Sequence, residues 1–424
     1  MPHVVVIGAG FAGLVAAREL SQRGYEVTVT EARDRIGGRT WTDERLGRDL
    51  DLGGTWIHWL QPHIWAEMTR YGLGMTESPV PEDACWTAGG TVVRGSAGDL
   101  IQSLDKGNTE LLRDSRLHFP RPYEPFGASS ELDAMDIGRA IEELPAVSED
   151  EREALAGFWS VCFNAPLDSG ALTQAMRWCS AASGSWELMF EACGTYKIAG
   201  GTIALARAIL ADTKASLRLN TEVTRVAPTN SGQVEVTDEE GNVLVADEVV
   251  VTVPWGALST IEFGSHRVES KVRLARSGQM SRGMKTWIRV RGEVTPFVLV
   301  GGPNDLLNYA QVEYSHEGDT LITAMGPSAA TLNPNDLEGM RGQMKRFRPD
   351  LDVLAVSGHD WVDDRYSAQT WPMLKTHQLA VLADLQNSVD NVHFAGSDYA
   401  TGWQGFIDGA IESAYRVSNR IACK

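Results

Sequence analysis

The sequence is poor in positive charge: 38 Lys and Arg stand against 56 Asp and Glu, a formal net charge of −18 at pH 7. That balance repels phosphate backbones and anionic headgroups, and it argues against nucleic acid or an anionic membrane as partner. Approach of cationic small molecules is mildly favoured, though solubility alone accounts for such a charge. Cysteine is scarce. The five residues Cys85, Cys162, Cys179, Cys193 and Cys423 are scattered, with no C-x-x-C. An odd, dispersed set is no disulfide framework and suits a reducing compartment. The nine histidines are dispersed as well, with no H-x-x-x-H, so no metal is expected. No unbroken apolar run reaches the length of a membrane span. The first apolar run begins at Val4, which leaves no room for a signal peptide. The expectation is a soluble cytoplasmic protein without a membrane, nucleic-acid or metal partner.

What the chain does have is glycine in particular places. Its 424 residues, 43% hydrophobic and 22% charged, can bury a substantial core and are expected to form two lobes. The stretch Val4 to Arg39 reads as strand, tight turn, helix, strand and second glycine turn. Val4 to Ile7 is an apolar, β-branched run, as a buried parallel strand requires. Gly8, Gly10 and Gly13 follow as G-x-G-x-x-G. Gly8 permits the sharp turn, Gly10 lets backbone N–H groups approach a pyrophosphate, and Gly13 lets helix and strand pack closely. The helix N-terminus then offers free N–H groups and a positive dipole end. Glu26 to Thr30 forms the second strand and delivers Glu31, whose carboxylate suits ribose hydroxyls. A βαβ unit without ligand is the alternative, but strand, helix, strand and terminal acid in register weigh toward a dinucleotide. Arg35-Ile36-Gly37-Gly38-Arg39 then sets flexible residues between guanidinium groups, and an arginine can grip a phosphate bidentately.

With that second loop the chain resembles the flavin-dependent amine oxidase family, which includes monoamine, polyamine and hydroxynicotine oxidases. The FAD domain of that family opens with the same pairing. The resemblance implies an α/β fold: a Rossmann-like FAD-binding domain from residues 1–72, 196–265 and 385–424, interleaved with an α+β substrate-binding domain from residues 73–195 and 266–384. It implies that Gly8, Gly10, Phe11, Ala12, Gly13, Glu31, Arg33 and Arg39 hold the dinucleotide. Gly53, Gly54, Thr55 and Trp56 would lie along the flavin, where the residues alone also allow a simple turn. His58 and Trp59 follow, at the pocket edge or on the surface. Backbone at Val223 would meet the adenine end.

Resemblance is weakest between residues 75 and 195. Trp86 to Arg94 reads as a hairpin around Gly89-Gly90, and Ser148-x-x-Glu151 as a capping box. Phe158, Trp159, Phe163 and Trp178 read mainly as core. Asn164 interrupts an apolar helical stretch, either as a satisfied core amide or as a group that positions substrate. Lys285 lies within a strand; on residues alone a snorkelling edge lysine is the plainer reading. The resemblance makes it the family lysine that holds a water against flavin N5 and stabilises charge developing on oxygen. Tyr309 and Gln311, on a later strand, are candidates to line the substrate pocket. Asp360 to Pro372 is similar to the family loop along the dimethylbenzene edge, with Trp361 at the flavin. Several relatives carry a flavin-bonded cysteine there; this chain has Thr370, so non-covalent FAD is expected. Trp371 and Phe406 would form the aromatic cage, Phe406 replacing a common tyrosine. In the last segment Ser397 and Asp398 would serve the ribityl chain, while Gly405, Phe406 and Ile407 open a helix toward flavin O2.

The chemistry so implied is oxidation of an amine C–N bond. Hydride passes from the carbon next to nitrogen to flavin N5, the imine hydrolyses to a carbonyl, and oxygen is reduced to hydrogen peroxide. Lys285, Trp371 and Phe406 are the expected catalytic set, with Asn164, Tyr309, Gln311 and Trp371 toward the substrate. Partners are a small primary or secondary amine and oxygen, and a homodimer is left open. The alternatives are a flavin-dependent C–C dehydrogenase or desaturase of the same fold, a flavoenzyme without net redox, and a non-catalytic nucleotide-binding protein.

Overall fold

The computed structural model describes residues 1–168 and 170–423. A five-stranded parallel sheet lies at the centre of the first lobe. Its order is Ser216–Arg218, Glu26–Thr30, His3–Ile7, Glu248–Val251 and Val392–Phe394. The side chains of His3–Ile7 alternate between two cores, as a period of two demands. Val4 and Val6 face the helices Phe11–Gln22, Thr202–Ala211 and Ile407–Ala422, while Val5 and Ile7 face the opposite layer. That layer includes the antiparallel strands Val223–Pro228, Val234–Asp238 and Val243–Ala246. The C-terminal helix begins at Ile407, with Phe406 as its N-cap residue; Lys424 lies outside the described residues.

A seven-stranded sheet is built from other parts of the chain. Its order is Val353–Gly358, Met284–Val290, Asp319–Gly326, Tyr309–His316, Phe297–Val300, Asp83–Ala88 and Thr91–Ser96. All pairings are antiparallel except Phe297–Val300 with Asp83–Ala88. A helical layer covers one side. Its helix Glu149–Phe163 starts on the Ser148/Glu151 capping box and stops at Asn164, which takes φ +50°. Asn164 therefore ends the helix rather than interrupting it. Asparagine tolerates this left-handed conformation better than most residues. No helix among the described residues is long and apolar enough to cross a membrane.

The helices of the first lobe are tied by one buried ion pair. Arg18 and Glu67 both have fully buried side chains, with Arg18 Nη2 donating to Glu67 Oε1 at 2.7 Å. Arg18 also donates to Tyr71 and Tyr415 at 2.8 and 2.9 Å, which joins three helices at one point. Removing one partner of such a pair leaves an uncompensated buried charge. Glu67→Ala is expected to lower unfolding free energy by about 3–5 kcal/mol, measured by chemical denaturation. A loss below about 1 kcal/mol, the value of an exposed pair, contradicts this.

Candidate active site

One elongated cavity runs from the first glycine turn to the helical layer. At its first end three glycines do different work. Gly8 has φ +106°, and a Cβ there would sit 2.6 Å from Thr252 Oγ1. A Cβ on Gly13 would sit 1.9 Å from Gly8 O, so helix and strand touch backbone to backbone. Gly10 differs: a Cβ there meets no protein atom nearer than 3.7 Å, and the residue lines the cavity. Its missing side chain therefore leaves space for a ligand. The helix Phe11–Gln22 opens at this point with no side-chain cap. Its free N–H groups and dipole match a pyrophosphate. The helix Ile407–Ala422 also starts at the cavity without a side-chain cap, at the far side. Two bare helix ends, joined by a trough of glycine backbone, fit an anionic dinucleotide with an electron-accepting ring.

Glu31 sits where expected, at the end of its strand. Its oxygens accept from Ala9 N at 2.7 Å and Arg33 N at 2.9 Å. A carboxylate retains further lone pairs for a ribose. Arg33 lines the cavity while bound to Asp364 and Ser367 at 2.7 and 2.9 Å. Val223 lines the same end, with Tyr366.

Arg39 does not offer a free bidentate fork. Its terminal nitrogens donate to Thr370 O at 2.7 Å, Ser397 Oγ at 3.1 Å and the Asp398 carboxylate. Arg35 points inward too, stacked 4.5 Å from the Trp41 ring centre. The Gly-Gly-Arg loop thus clamps protein segments together, with Gly38 packed against Gly10, while Gly37, Gly38 and Arg39 also line the cavity. Asp398 is also turned away from its expected ribityl contact. Arg39 and Ser397 occupy Oδ1; Trp255 N and Gln369 Nε2 occupy Oδ2 at 2.9 and 2.7 Å. Ser397, by contrast, lines the cavity. Gly53 lines it as well, although its lack of a side chain answers to Arg39 O, 2.0 Å from a built Cβ. Gly54, Thr55, Trp56 and Trp361 complete this middle section.

Strand register explains the cavity wall that follows. Lys285 pairs with Met325, and Met325 with Tyr309, so one row of three strands faces the cavity. Lys285 Nζ donates to Asp51 O at 3.0 Å, Gly53 O at 2.9 Å and Thr55 Oγ1. These three oxygens hold the ammonium in place at the cavity wall. Burial lowers the Lys285 pKa to about 8, although Asp51 and Glu313 pull the other way.

The far end is aromatic and uncharged. Trp371 is fixed by its Nε1 donating to Cys162 O at 3.1 Å. Phe406 stands edge-on to Trp178 and Trp403, each ring centre 5.2 Å away. Gly405, at φ +91°, brings the two loops together, its built Cβ 3.4 Å from Trp371 Cβ. Asn164 also lines this end; its Nδ2 donates to Thr370 Oγ1 at 3.2 Å while its Oδ1 has no partner. Tyr309 lines the cavity, but Gln311 lies behind it, hydrogen-bonded to the Tyr309 hydroxyl at 2.5 Å. His58 and Trp59 do not reach the cavity; His58 is buried beside Glu191 instead.

Several lining residues had no signal in the sequence. Trp178 read as core, Cys162 and Cys193 as scattered thiols, and Phe190 carried no reading, yet all four line the cavity. Burial pushes both thiols up, Cys193 to about 12. Neither is a thiolate near neutral pH, so neither is poised to attack a cofactor.

Residues 11–422 match the family model for flavin containing amine oxidoreductase. The chain is 34% identical to a pseudooxynicotine dehydrogenase of Pseudomonas sp over 99% of its own length and 86% of the relative's. It is 27% identical to the (S)-6-hydroxynicotine oxidase of Paenarthrobacter nicotinovorans, over 99% of each. Its fold is similar to a putrescine oxidase double mutant, with a TM-score of 0.86 and 20% identity over 100% and 99% of the two chains. The chain belongs to the flavin containing amine oxidoreductases. It is an FAD-dependent enzyme that oxidises an amine C–N bond.

Because a Cβ on Gly10 meets no protein atom nearer than 3.7 Å, a single methyl there should displace ligand without disturbing the fold. Gly10→Ala is expected to lower FAD affinity about 10-fold, as ~1–3 kcal/mol of overpacking implies. Circular dichroism should stay unchanged. Full flavin content in the variant contradicts this reading.

Proposed function

We propose that the substrate is an apolar primary or secondary amine with a single basic nitrogen, oxidised between Trp371 and Phe406. The observation that carries this is the uncharged aromatic end of the cavity. Val161, Cys162, Trp178, Phe190, Trp371 and Phe406 line it without a carboxylate among them. A second ammonium on the substrate would be buried there unpaired, at a cost of several kcal/mol. The same surroundings disfavour the ammonium form of the reacting nitrogen and help it shed its proton. The free lone pair can then stabilise the forming iminium. Trp371 and Phe406 hold the α-carbon in line. FAD bound along the glycine trough supplies the hydride acceptor.

Gly10, the bare end of Phe11–Gln22 and Glu31 are assigned to the dinucleotide. The helix starting at Ile407 is assigned to the ring, where its dipole favours negative charge. The cofactor is held without a covalent bond, since Thr370 stands at the loop position and the nearby thiols are protonated. Water converts the imine to a carbonyl and a smaller amine or ammonia. We assign dioxygen as acceptor of the two electrons and two protons. Lys285 supports that assignment: a fixed, buried cation stabilises charge developing on oxygen.

Two measurements test these roles. A cycloalkyl monoamine should exceed an α,ω-diamine in kcat/KM by at least about 100-fold, the factor for ~3 kcal/mol of unpaired charge burial. Peroxide and carbonyl release provide the readout, and equal efficiency sinks the substrate assignment. The second is the reaction of reduced enzyme with oxygen, followed by stopped flow. Lys285 is charged below about pH 8 and neutral above. The oxygen rate should therefore fall as pH rises through about 8. Lys285→Met should be slow and flat across that range; a fast oxygen reaction in this variant rules the lysine out.

A further inference from the structure

Asp408 is the second residue of the helix Ile407–Ala422, and its side chain is fully buried. Phe406, Ile407 and Ala410 line the cavity around this helix start, but Asp408 does not. Its oxygens serve another helix. Oδ1 accepts from His63 N at 2.6 Å and from Ile64 N at 2.9 Å. These are the second and third residues of Pro62–Tyr71, whose own preceding residue, Gln61, makes no side-chain cap. Oδ2 meets the His63 ring nitrogen Nδ1 at 3.2 Å. A carboxylate can only accept, so Nδ1 carries the hydrogen. Asp408 is thus a cap lent to a neighbouring helix, while its own helix start has no side-chain cap.

The His63 side chain is 27% exposed, so its proton exchanges with solvent. Burial works to lower its pKa, but the Asp408 hydrogen bond and the charges of Asp408 and Glu412 outweigh burial, and the net shift is upward. Glu412 is tied down, accepting from Thr401 N at 2.9 Å and Gly402 N at 3.0 Å, with Arg416 3.5 Å away. The rings of Tyr123 and Tyr415 stand 5.7 and 6.4 Å from the imidazole, centre to centre. Burial pushes both phenols up, Tyr415 to about 12. The imidazole is therefore the member of this cluster that changes charge near neutral pH. Protonated, it cancels the charge of Asp408. Neutral, it leaves a negative charge in the first turn of the helix, where it opposes the negative charge that the helix dipole favours on the ring.

We propose that His63 and Asp408 are positioning residues for charge at the ring-facing helix: reduction of the flavin draws a proton from solvent onto His63, and the protonated pair favours the reduced ring. This rests on the assignment of the helix Ile407–Ala422 to the flavin ring. The amine supplies hydride, two electrons and one proton, to the flavin. His63 takes its proton from solvent without electrons, so the step needs no further reactant. Coupling of this kind is reciprocal, and the reduced ring holds the His63 proton more tightly than the oxidised one.

The test reads the two-electron midpoint potential of the holoenzyme by dye equilibration, at about pH 5.5 and about pH 9.5, on either side of a raised imidazole pKa. His63→Asn keeps an N–H donor toward Asp408 but not the charge. At the lower pH the wild-type protein should be easier to reduce than His63→Asn by about 5-fold in the equilibrium constant, the scale of a charge at a helix end, or ~20 mV for two electrons. At the higher pH the two potentials should agree. Lys285 titrates alike in both proteins and cancels in the comparison. Asp408→Asn should raise the potential at the higher pH by a similar factor. A purely structural role for His63 moves the potential equally at both pH values or not at all, and either result overturns the proposal. If Asp408→Asn responds and His63→Asn does not, the proposal alone fails. If Asp408→Asn leaves the potential unchanged, the assignment of the helix to the ring fails, and the proposal with it. His63→Gln serves if the asparagine variant loses flavin; loss of flavin from both also overturns the proposal.

Discussion

Everything in this cavity depends on three backbones meeting at the first turn. The helix Phe11–Gln22 lies on its strand with Gly13 against Gly8 O, and the Gly37-Gly38 loop closes on Gly10. Side chains at Gly8 or Gly13 would push these segments apart. Their contact aims the bare N-terminus of the helix down the trough. Arg39 then carries the constraint across the molecule, since it binds Thr370 O, Ser397 and Asp398 at once. The segments that furnish the aromatic end are thereby anchored to the segment that furnishes the phosphate end.

Along the trough, polarity changes in one direction. Glu31, Arg33 and Glu222 stand at one end, Lys285 in the middle, and only uncharged side chains at the other. A dinucleotide spans such a gradient naturally: charged groups at the polar end, a flat ring beside the lysine, and room beyond the ring for a neutral amine. The three oxygens around Lys285 hold its cation in place while its burial lowers its pKa. The charge closest to the chemistry is thus also one of the easier ones to remove with pH.

The first lobe was legible in the sequence because its signals are local. Glycine spacing, an apolar β-branched strand and a terminal acid lie within one βαβ unit, and Gly8, Gly10, Gly13 and Glu31 stand where that spacing implied. Arg39 lines the cavity as expected but is also bound within the protein, and Asp398, which does not line it, misled for a physical reason. A guanidinium and a carboxylate near phosphates and hydroxyls look like ligand groups, yet these two satisfy each other across more than 300 residues of chain. Gln311, a candidate for pocket lining on the same strand as Tyr309, does not line the cavity and is hydrogen-bonded to the Tyr309 hydroxyl instead. Trp178, Phe190 and Cys193 could not be read as cavity lining. They come from helices whose only sequence signal is apolar periodicity, and periodicity does not say which neighbour a buried face meets.

The account's central claim is that this trough holds FAD through backbone and hydrogen bonds, with no bond from Thr370 or from the buried thiols. Acid precipitation of the purified protein tests it most directly. The account predicts about one FAD per chain in the supernatant over a colourless pellet. A yellow pellet, or a supernatant without flavin, would contradict it.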